Sequence, residues 1–292
     1  MSSITDVPVA LAERVVPVVG VTAGPSPAHA WYRKSTRLLT AVLTRIAAIG
    51  ALALVWQLAP QWETAPGEYL VDPTFLPPLS EVLVAWWDLL ISGELWTHTE
   101  ASLIRSAAGF GLAILIAVPL GLLIGWYSPV ANLLNPLLEV FRNTAALAIL
   151  PVFVLILGLG ETSKISIILY GCTWPILLNT VSAVRTVDPL LIKSARSLGL
   201  GPVRLFQKVV LPAAVPTIFT GIRLAGAASI LILIAAEMVG AKAGLGYLIN
   251  YAQYNFAVPD MYAGIITISA IGLIVNQLLI VTERRFSTWR TN

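Results

Sequence analysis

Few side chains in this sequence could carry bond-making chemistry. His29 and His98 are the only histidines, and Cys172 is the only cysteine and lies inside a long apolar run. Metal centres and nucleophilic sites are built from convergent groups of His, Cys, Asp and Glu. Residues so few and so far apart predict no metal centre, no disulfide framework and no hydrolytic site.

Phosphate-binding motifs are the second possible source of chemistry. The sequence contains no G-x-x-x-x-G-K-[ST] phosphate loop. "GLG" occurs at 158–160, 199–201 and 244–246, without the strand and third glycine of a dinucleotide-binding fingerprint. We interpret these glycines as turn and cap residues, and we expect a chain that is not an enzyme and binds no cofactor of its own.

The composition is that of a membrane protein. Of the 292 residues, 57% are hydrophobic and only 11% are charged, and the mean hydropathy is +0.83. In an ordinary globular domain about a quarter of the residues are charged. About 20 apolar residues of helix cross a bilayer, and continuous apolar runs of that length recur here. Because these runs do not alternate with polar residues, we predict an all-α membrane protein.

Six candidate spans can be placed along the chain. They are residues 38–59, 104–126, 135–157, 164–184, 214–238 and 260–281. Basic residues precede the first span and follow the last, namely Arg33, Lys34, Arg37, Arg284, Arg285 and Arg290. Because Lys and Arg are retained on the cytoplasmic side, both termini are expected there, which agrees with an even number of spans. Residues 61–100 carry acidic side chains but no Lys or Arg, so that loop is expected outside.

These spans divide the chain into five predicted parts. They are a cytoplasmic tail (1–37), a first transmembrane helix (38–59), an extracytoplasmic loop (60–103), a core of five helices (104–281) and a cytoplasmic tail (282–292). The first 30 residues contain several prolines and no secretory signal pattern, so we expect a disordered tail. "FLPPLSEVLVAWWDLLISGELW" at 75–96 predicts a helix capped by Ser80. This helix either lies along the outer interface or packs on other spans.

The loop between the fourth and fifth spans, 185–213, is basic and strongly patterned. Asp188 and Pro189 form a helix start, in which a capping carboxylate is followed by proline at the first helical position. An apolar stripe follows, made of Leu191, Ala195 and Leu198. Gly199 is then placed to end this helix in a left-handed conformation.

A second short helix is predicted from Pro202, and Leu211 and Pro212 are expected to end it before the chain re-enters the bilayer. Its apolar residues Val203, Phe206 and Val210 would face the protein's own spans, with a basic surface toward the cytosol. Ordering a loop costs about 1–2 kcal/mol per residue. The two helices therefore favour a docking elbow for another protein, while a plain charged loop remains the alternative.

At 193–212, "KSARSLGLGPVRLFQKVVLP" resembles the EAA loop of the permease subunits of ATP-binding-cassette (ABC) importers. That pattern is approximately E-A-A-x-x-x-G, nine further residues, then a hydrophobic residue, x, L and P. The matching positions are Lys193, Ser194 and Ala195 for the triplet, Gly199 for the glycine, and Val209, Leu211 and Pro212 for the end. Lys193 replaces an acid by a base, so the contact that the family makes there is expected to differ.

Other segments extend the resemblance over most of the chain. They are "FLPPLSEVL" at 75–83, "SLIRSAAGFGLAILIAVPLGLLIGW" at 102–126, "VRTVDPLLIKSARSLG" at 184–199 and "AEMVGAKAGLGYLI" at 236–249. They look like the branch of permeases that handles nitrate, taurine, alkanesulfonates and bicarbonate. The resemblance implies the six-helix fold of a type I importer permease in the bacterial inner membrane.

The resemblance also implies partners and roles. Two permease subunits, here two copies of this chain, would assemble with two ATPase subunits that bind ATP and Mg²⁺, and a substrate-binding protein would deliver the nutrient from outside. No nucleic acid is implied. The loop becomes a coupling helix that receives the movement of the ATPases. Its expected contact residues are Asp188, Lys193, Ser194, Ala195, Arg196, Leu198, Gly199, Arg204, Phe206, Leu211 and Pro212.

The substrate pathway is less clearly marked. The ionisable groups near the spans are Arg105, Glu139, Arg142, Glu161, Lys164, Arg223 and Glu237. Nearly all lie close to span ends, which favours snorkelling and interfacial pairing over a buried proton relay; Arg105 would either snorkel outward or pair with an acid. As a hypothesis, Arg223 helps attract an anion, with pairing or snorkelling as the alternative. Thr144 and Asn179 would line a passage or join helices.

Two other functions would each require a different pattern of residues. An ion-coupled secondary transporter would need coupling carboxylates or histidines near the midplane and paired broken helices. A membrane-embedded enzyme would need a convergent cluster of His, Asp, Glu or Cys. Neither pattern is evident in the sequence, so the importer permease is the predicted function and the secondary transporter the alternative.

Overall fold

The computed structural model describes residues 27–65, 68–69 and 71–287. Most of the predicted N-terminal tail and Arg290 lie outside these residues. The described helices are α1 (Pro27–Leu58), α2 (Leu79–Ile91), α3 (Glu94–Trp126), α4 (Ser128–Arg142), α5 (Ala146–Leu157), α6 (Glu161–Arg185), α7 (Pro189–Ser197), α8 (Pro202–Leu205), α9 (Leu211–Met238), α10 (Leu245–Tyr254) and α11 (Val258–Ser287). Among the described residues, those up to Val55 belong to one compact unit and those from Trp56 onward to a second.

The helical character confirms the predicted fold class. Five described helices are long and apolar enough to cross a membrane, and the bent pair α4 and α5 raises the number to six if it counts as one span. Helix α1 begins at Pro27, so residues 27–30, the last of the expected disordered tail, are helical. The core of the second unit is formed mainly by buried residues of α3, α6 and α9.

The predicted span 135–157 is broken near its middle. The chain bends by 92° between α4 and α5, at residues Asn143 to Ala145. The pair still returns the chain from one end of the bundle to the other. Trp126, at the end of α3, contacts Phe206 beyond α6, whereas Glu161, at the start of α6, contacts Arg105 in the first half of α3. Helices α3 and α6 are therefore parallel, and α4 with α5 must connect their opposite ends.

Small residues at every fourth position bring α3 against α6. Gly109, Ala113, Ala117 and Gly121 are buried, and Gly125 continues the same stripe. A β-carbon added at Gly121 would lie 2.7 Å from Thr180 Cβ. Spacing of small residues by four is a known way for membrane helices to approach closely. This stripe explains the close packing of the two spans.

Helix α9 runs antiparallel to α6. Gly221 in the first half of α9 lies against Asn179 in the second half of α6, whereas Ile232, later in α9, lies against Gly171, which is earlier in α6. The fully buried Cys172 is between them, with its sulfur 3.5 Å from the Ala225 carbonyl oxygen. The two spans on either side of the predicted elbow are thus packed along much of their length.

The loop expected at 60–103 is shorter than predicted. A small antiparallel pair of strands, β1 (Glu63–Ala65) and β2 (Glu68–Tyr69), follows α1. Helix α3 starts at Glu94 after Gly93, whose φ is 79°, so ten residues of the expected loop belong to this span. Ser80 does not cap α2, because the helix begins at Leu79 without a side-chain cap.

Helix α2 packs on the spans, which was one of the two alternatives. The indole nitrogen of Trp86 donates a hydrogen bond of 3.0 Å to Thr267 Oγ1 of α11. Its opposite side keeps Val84 and Trp87 exposed. The helix therefore covers the end of the bundle that contains Glu94 and Val258.

Candidate functional site

The elbow between α6 and α9 begins as the sequence predicts. Asp188 precedes α7, and its side chain accepts a hydrogen bond of 2.8 Å from the backbone N–H of Leu190. Pro189 occupies the first helical position. The cap satisfies one of the free N–H groups of a helix start, so the predicted N-cap at Asp188 is confirmed.

The end of α7 is also specified locally. Gly199 has a φ of 79°, and its N–H donates to the Arg196 carbonyl at 2.9 Å. The N–H of Leu200 donates to the Ala195 carbonyl at 3.2 Å. These two bonds form a Schellman motif, in which glycine relieves the strain of the left-handed residue. The predicted glycine end of the helix is confirmed.

The second half of the elbow differs from the prediction. Helix α8 begins at Pro202 as expected, but Leu211 and Pro212 do not stop it. The chain stays helical from Pro202 to Met238, with a π-helical turn at Phe206–Val210. Pro212 has no N–H for the carbonyl four residues earlier, and a π-turn is one way to accommodate that loss without ending the helix. The elbow is therefore continuous with α9.

The surface of the elbow corrects a second expectation. Of the predicted stripe on α7, only Ala195 is buried, whereas Leu191 and Leu198 are 52% and 81% exposed. Val203 of α8 is 67% exposed as well. The apolar residues therefore do not all face the protein's own spans, and several form an uncovered rim around the corner at Gly199.

The polar residues of the elbow share this open surface. Those that are exposed are Asp188, Lys193, Ser194, Arg196 and Arg204. Lys193 makes no ion pair with any residue that the structure describes. Exposed basic groups beside exposed leucines and valine give a surface that is both apolar and positively charged, a combination suited to a protein partner.

The inner side of the elbow is held by buried apolar groups. Leu205 and Val210 are buried, and Leu211 and Pro212 are half-buried. The ring of Phe206 meets that of Trp126 in α3 edge to face, with centroids 5.1 Å apart. A cavity lies beside this contact, lined by residues such as Leu122, Trp126 and Phe206. The elbow thus touches α3 as well as the two spans that it connects.

A buried group of charges lies at the opposite end of α6 and α9. Arg105 of α3 donates through Nη2 to Glu161 Oε1 at 2.7 Å and through Nε to the other oxygen of that carboxylate. Its Nη1 donates to Glu237 Oε1 at 2.7 Å and to the Ala243 carbonyl at 2.6 Å. The side chain of Arg105 is only 5% exposed. Arg105 therefore pairs with acids and does not snorkel.

The same group holds the segment between α9 and α10. Three backbone N–H groups there donate to side chains: Gly244 to His98 Nδ1 at 3.1 Å, Leu245 to Ser102 Oγ at 2.8 Å and Gly246 to Glu237 Oε2 at 2.9 Å. The Ser102 hydroxyl lies 2.8 Å from both Glu237 oxygens and donates to that carboxylate. The buried polar groups of this segment are thus satisfied by side chains.

Gly244 is required at its position in this segment. Its φ is 124°, and a β-carbon there would lie 2.4 Å from the Glu237 carboxylate. Lys164 completes the group, because its ammonium donates to the carbonyl oxygens of Leu159 and Gly160 at 2.6 Å and 3.1 Å. Arg105, Lys164 and Glu237 are therefore buried, Glu161 at the edge of the group stays exposed, and the expected pairing of these charges is found.

The predicted pathway residues are not brought together. Arg223 Nη1 lies 3.1 Å from Glu283 Oε2 of α11, so its charge has a partner within the chain. Thr144, just beyond the end of α4, donates to the Val140 carbonyl of that helix, and Asn179 donates to the Pro175 carbonyl within α6. Asn179 also lies against Gly221 at the seam between α6 and α9. No contact among these three side chains is seen in the described structure.

The break between α4 and α5 has an aromatic wall. Phe141 stacks on Trp174 with centroids 5.7 Å apart, and the Tyr170 hydroxyl donates to the Phe141 carbonyl at 3.2 Å. The first turn of α5 has no side-chain cap. Thr144 lies in this break, which places it near the middle of α6, the helix that carries Tyr170 and Trp174.

Sequence reasoning missed the charge group because its members are distant along the chain. Arg105 and Glu237 are 132 positions apart, and no local pattern joins them. One signal was present: His98, Ser102 and Arg105 follow the helical spacing i, i+4 and i+7, on the same face as the small-residue stripe. Among the described residues, no group of His, Cys, Asp and Glu has the geometry of a metal site.

Comparisons with known proteins agree on one family. The family model described as "Binding-protein-dependent transport system inner membrane component" matches residues 117–288. The chain is 33% identical to the taurine transport system permease protein TauC of Escherichia coli (strain K12), over 82% of this chain and 88% of that protein. It is 34% identical to the putative aliphatic sulfonates transport permease protein SsuC of Bacillus subtilis (strain 168), over 79% and 84%.

A solved structure shares the fold. One chain of the MetNI methionine ABC transporter superposes with a TM-score of 0.56 at 19% sequence identity, over 68% of this chain and 96% of that one. At this identity the likeness concerns the arrangement of helices alone.

Proposed function

The chain belongs to the family of binding-protein-dependent inner membrane components, the permeases of ABC importers, and we propose that it moves a small sulfonate-class anion into the cytoplasm under the control of a separate ATPase. This chain matches a taurine permease and an aliphatic sulfonate permease over more than three quarters of its own length. We infer the substrate class from these two relatives. ATP and Mg²⁺ are assigned to the ATPase.

The exposed rim of the elbow is the observation that carries the coupling part of this proposal. Leu191, Leu198 and Val203 are uncovered beside the exposed bases Arg196 and Arg204. Apolar side chains at a water-facing corner are costly unless a partner covers them. A groove of the ATPase with apolar walls and acidic edges would bury these groups and pair with the charges.

The internal order of the elbow supports its role as a transmitter. Asp188 and Gly199 fix both ends of α7, and the helix from Pro202 to Met238 is continuous. A push on such an element moves α9 as a rigid body, whereas a flexible loop would absorb the displacement. The contact of Phe206 with Trp126 extends the effect to α3.

Lys193 is proposed to make a contact that differs from the family pattern. It stands where an acid is typical, and it is exposed without an ion partner in the described residues. The ATPase surface opposite Lys193 should therefore be acidic or neutral. Partner recognition would depend on this position together with Arg196 and Arg204.

The proposed assembly contains two copies of this permease, two ATPases and an extracytoplasmic binding protein. With the elbow on the cytoplasmic side, the end of α11 that carries Glu283 lies on that side too, because Glu283 pairs with Arg223 of α9. This supports a cytoplasmic C-terminus. An even number of spans would place the N-terminus there as well.

The passage for the anion is proposed to run along the seam that contains Asn179 and past the break that contains Thr144. Arg223 would contribute its charge only when Glu283 does not neutralise it. Broken helices in membrane transporters commonly line substrate passages, which supports Thr144 as a lining residue.

Transport in proteoliposomes tests the function directly. The permease is reconstituted with its ATPase and binding protein, and uptake of taurine and of an alkanesulfonate is measured against nitrate and bicarbonate. Uptake should require ATP and the binding protein and should favour the sulfonates. Uptake driven by an ion gradient without the ATPase would instead establish the secondary transporter, and preference for nitrate or bicarbonate would overturn the substrate class.

A further inference from the structure

Arg105 connects three helices at the end of the bundle that is farthest from the elbow. It lies in α3 and binds Glu161 at the start of α6 and Glu237 at the end of α9. The elbow joins the other ends of the same two helices. Because α6 has 25 residues, the two connections are separated by about 36 Å along the bundle.

The two carboxylates that Arg105 binds have very different surroundings. The Glu237 side chain is 0% exposed and also accepts hydrogen bonds from Ser102 and from the Gly246 backbone. The Glu161 side chain is 61% exposed, and Arg105 is its hydrogen-bond donor. Water can replace Arg105 at Glu161 but not at Glu237, so the pair with Glu161 opens at a lower cost than the pair with Glu237.

The donors of Arg105 are already used within the protein. Nε and Nη2 bind Glu161, and Nη1 binds Glu237 and the Ala243 carbonyl. A guanidinium has five N–H groups, so little of its capacity remains for a transported anion. This occupancy indicates a role in holding helices and not in binding substrate.

We propose that the Arg105–Glu161 pair is a releasable tie that holds the outer end of α6 against α3, α9 and α10, and that it must open when the elbow is displaced. Arg105 then stays with Glu237, Ser102 and the segment before α10 as one unit. The tie makes Arg105 and Glu161 positioning residues for transport. It rests on the proposed coupling of the elbow to an ATPase.

The tie predicts how the permease controls its ATPase. A closed tie resists the movement that follows ATP binding, so ATP hydrolysis stays low until the binding protein engages the outer face. Weakening the tie increases the fraction of molecules in which the Arg105–Glu161 pair is already open before the binding protein engages. ATP hydrolysis should then depend less on the binding protein. If the Arg105–Glu161 pair were purely structural, weakening it would lower the amount of assembled complex but leave the dependence of hydrolysis on the binding protein unchanged.

Glu161→Gln is the test variant, because it keeps the size of the side chain and removes its charge. Glu100→Gln is the matched control, since Glu100 is an exposed acid in the first half of α3, the helix of Arg105, and makes no ion pair among the described residues. ATP hydrolysis is measured in reconstituted complexes with and without the binding protein. Hydrolysis without it should rise about fivefold in Glu161→Gln and stay at the wild-type level in Glu100→Gln.

A second measurement follows the helices themselves. Cys172 is fully buried between α6 and α9 and is the only cysteine of the chain, so its labelling by a small thiol reagent reports their separation. Labelling should be faster in Glu161→Gln than in the control. If both variants match wild type in hydrolysis and labelling, the tie is wrong. If wild type itself shows no hydrolysis that responds to the binding protein, the coupling function fails instead.

Discussion

Trp126 and Phe206 meet edge to face, with ring centroids 5.1 Å apart, where the end of α3 touches the π-turn of the elbow. This contact gives the elbow a third connection to the bundle, besides its covalent links to α6 and α9. Since α3 also carries Arg105 and the small-residue stripe, the same helix contacts both ends of the proposed transmission path.

Trp126→Ala should weaken transmission without unfolding the subunit. An aromatic pair contributes about 0.5–1.5 kcal/mol beyond its buried area, so its loss should lower the number of substrate molecules imported per ATP hydrolysed by about threefold. Tyr127→Ala is the control, because Tyr127 is adjacent and 52% exposed. Equal import per ATP in the two variants would show that the ring contact has no part in coupling.

Gly199→Pro should uncouple the elbow. Proline removes the N–H that donates to Arg196 and cannot adopt the φ of 79°, so the Schellman end of α7 is lost. Gly201→Ala is the matched control, since Gly201 has an ordinary φ of −68° and open space around it. Membrane insertion should be normal in both, and ATP-driven uptake should fall about tenfold only in Gly199→Pro. Wild-type uptake in that variant would contradict the docking role.

Reversing the charge at Arg196 and Arg204 should weaken the complex with the ATPase. Both side chains are exposed, so their interactions with a partner are screened over about 10 Å at 0.1 M salt. The amount of ATPase that co-purifies with Arg196→Glu/Arg204→Glu should decrease at a lower salt concentration than with wild type. Arg142→Glu, an exposed change outside the elbow, serves as the control. An unchanged salt dependence would exclude these two bases from the interface.

Gly121→Leu should destabilise the pair α3 and α6. Any β-carbon at Gly121 would lie 2.7 Å from Thr180 Cβ and 3.1 Å from the Leu177 carbonyl oxygen, and overpacking of this kind costs about 1–3 kcal/mol. Gly111→Leu is the control, because Gly111 in the same helix has nothing within 4 Å. Thermal unfolding in detergent should shift to lower temperature by several degrees only for Gly121→Leu. Equal midpoints would mean that the helices can separate without cost.

Features determined by neighbouring residues were predictable from the sequence. The cap at Asp188, the left-handed Gly199 and the start at Pro202 each depend on a few adjacent residues, and each is found as expected. Pro212 was misinterpreted because a π-turn can accommodate a proline that would otherwise end a helix. The bend at Asn143 to Ala145 was missed because hydropathy averages over a window and does not register a change of direction.

Features determined by packing were not predictable. Arg105 could have snorkelled or paired, and only the fold brings Glu161 and Glu237 to it across 56 and 132 positions. The exposure of Leu191 and Leu198 likewise depends on what α7 packs against. A helical stripe predicts that residues share a face, but it does not say whether this chain or a partner covers them.

Arg223 offers a direct test of the substrate pathway, because its partner can be changed separately. In the structure Arg223 pairs with Glu283 at 3.1 Å. If Arg223 attracts the anion, Arg223→Gln should raise the KM for uptake about threefold, and Glu283→Gln, which frees the arginine charge, should lower it by a similar factor. If the pair only joins α9 to α11, both variants should leave KM unchanged and lower thermal stability alike. Opposite shifts in KM therefore support an electrostatic role in the pathway, and parallel losses of stability with an unchanged KM assign Arg223 to helix packing.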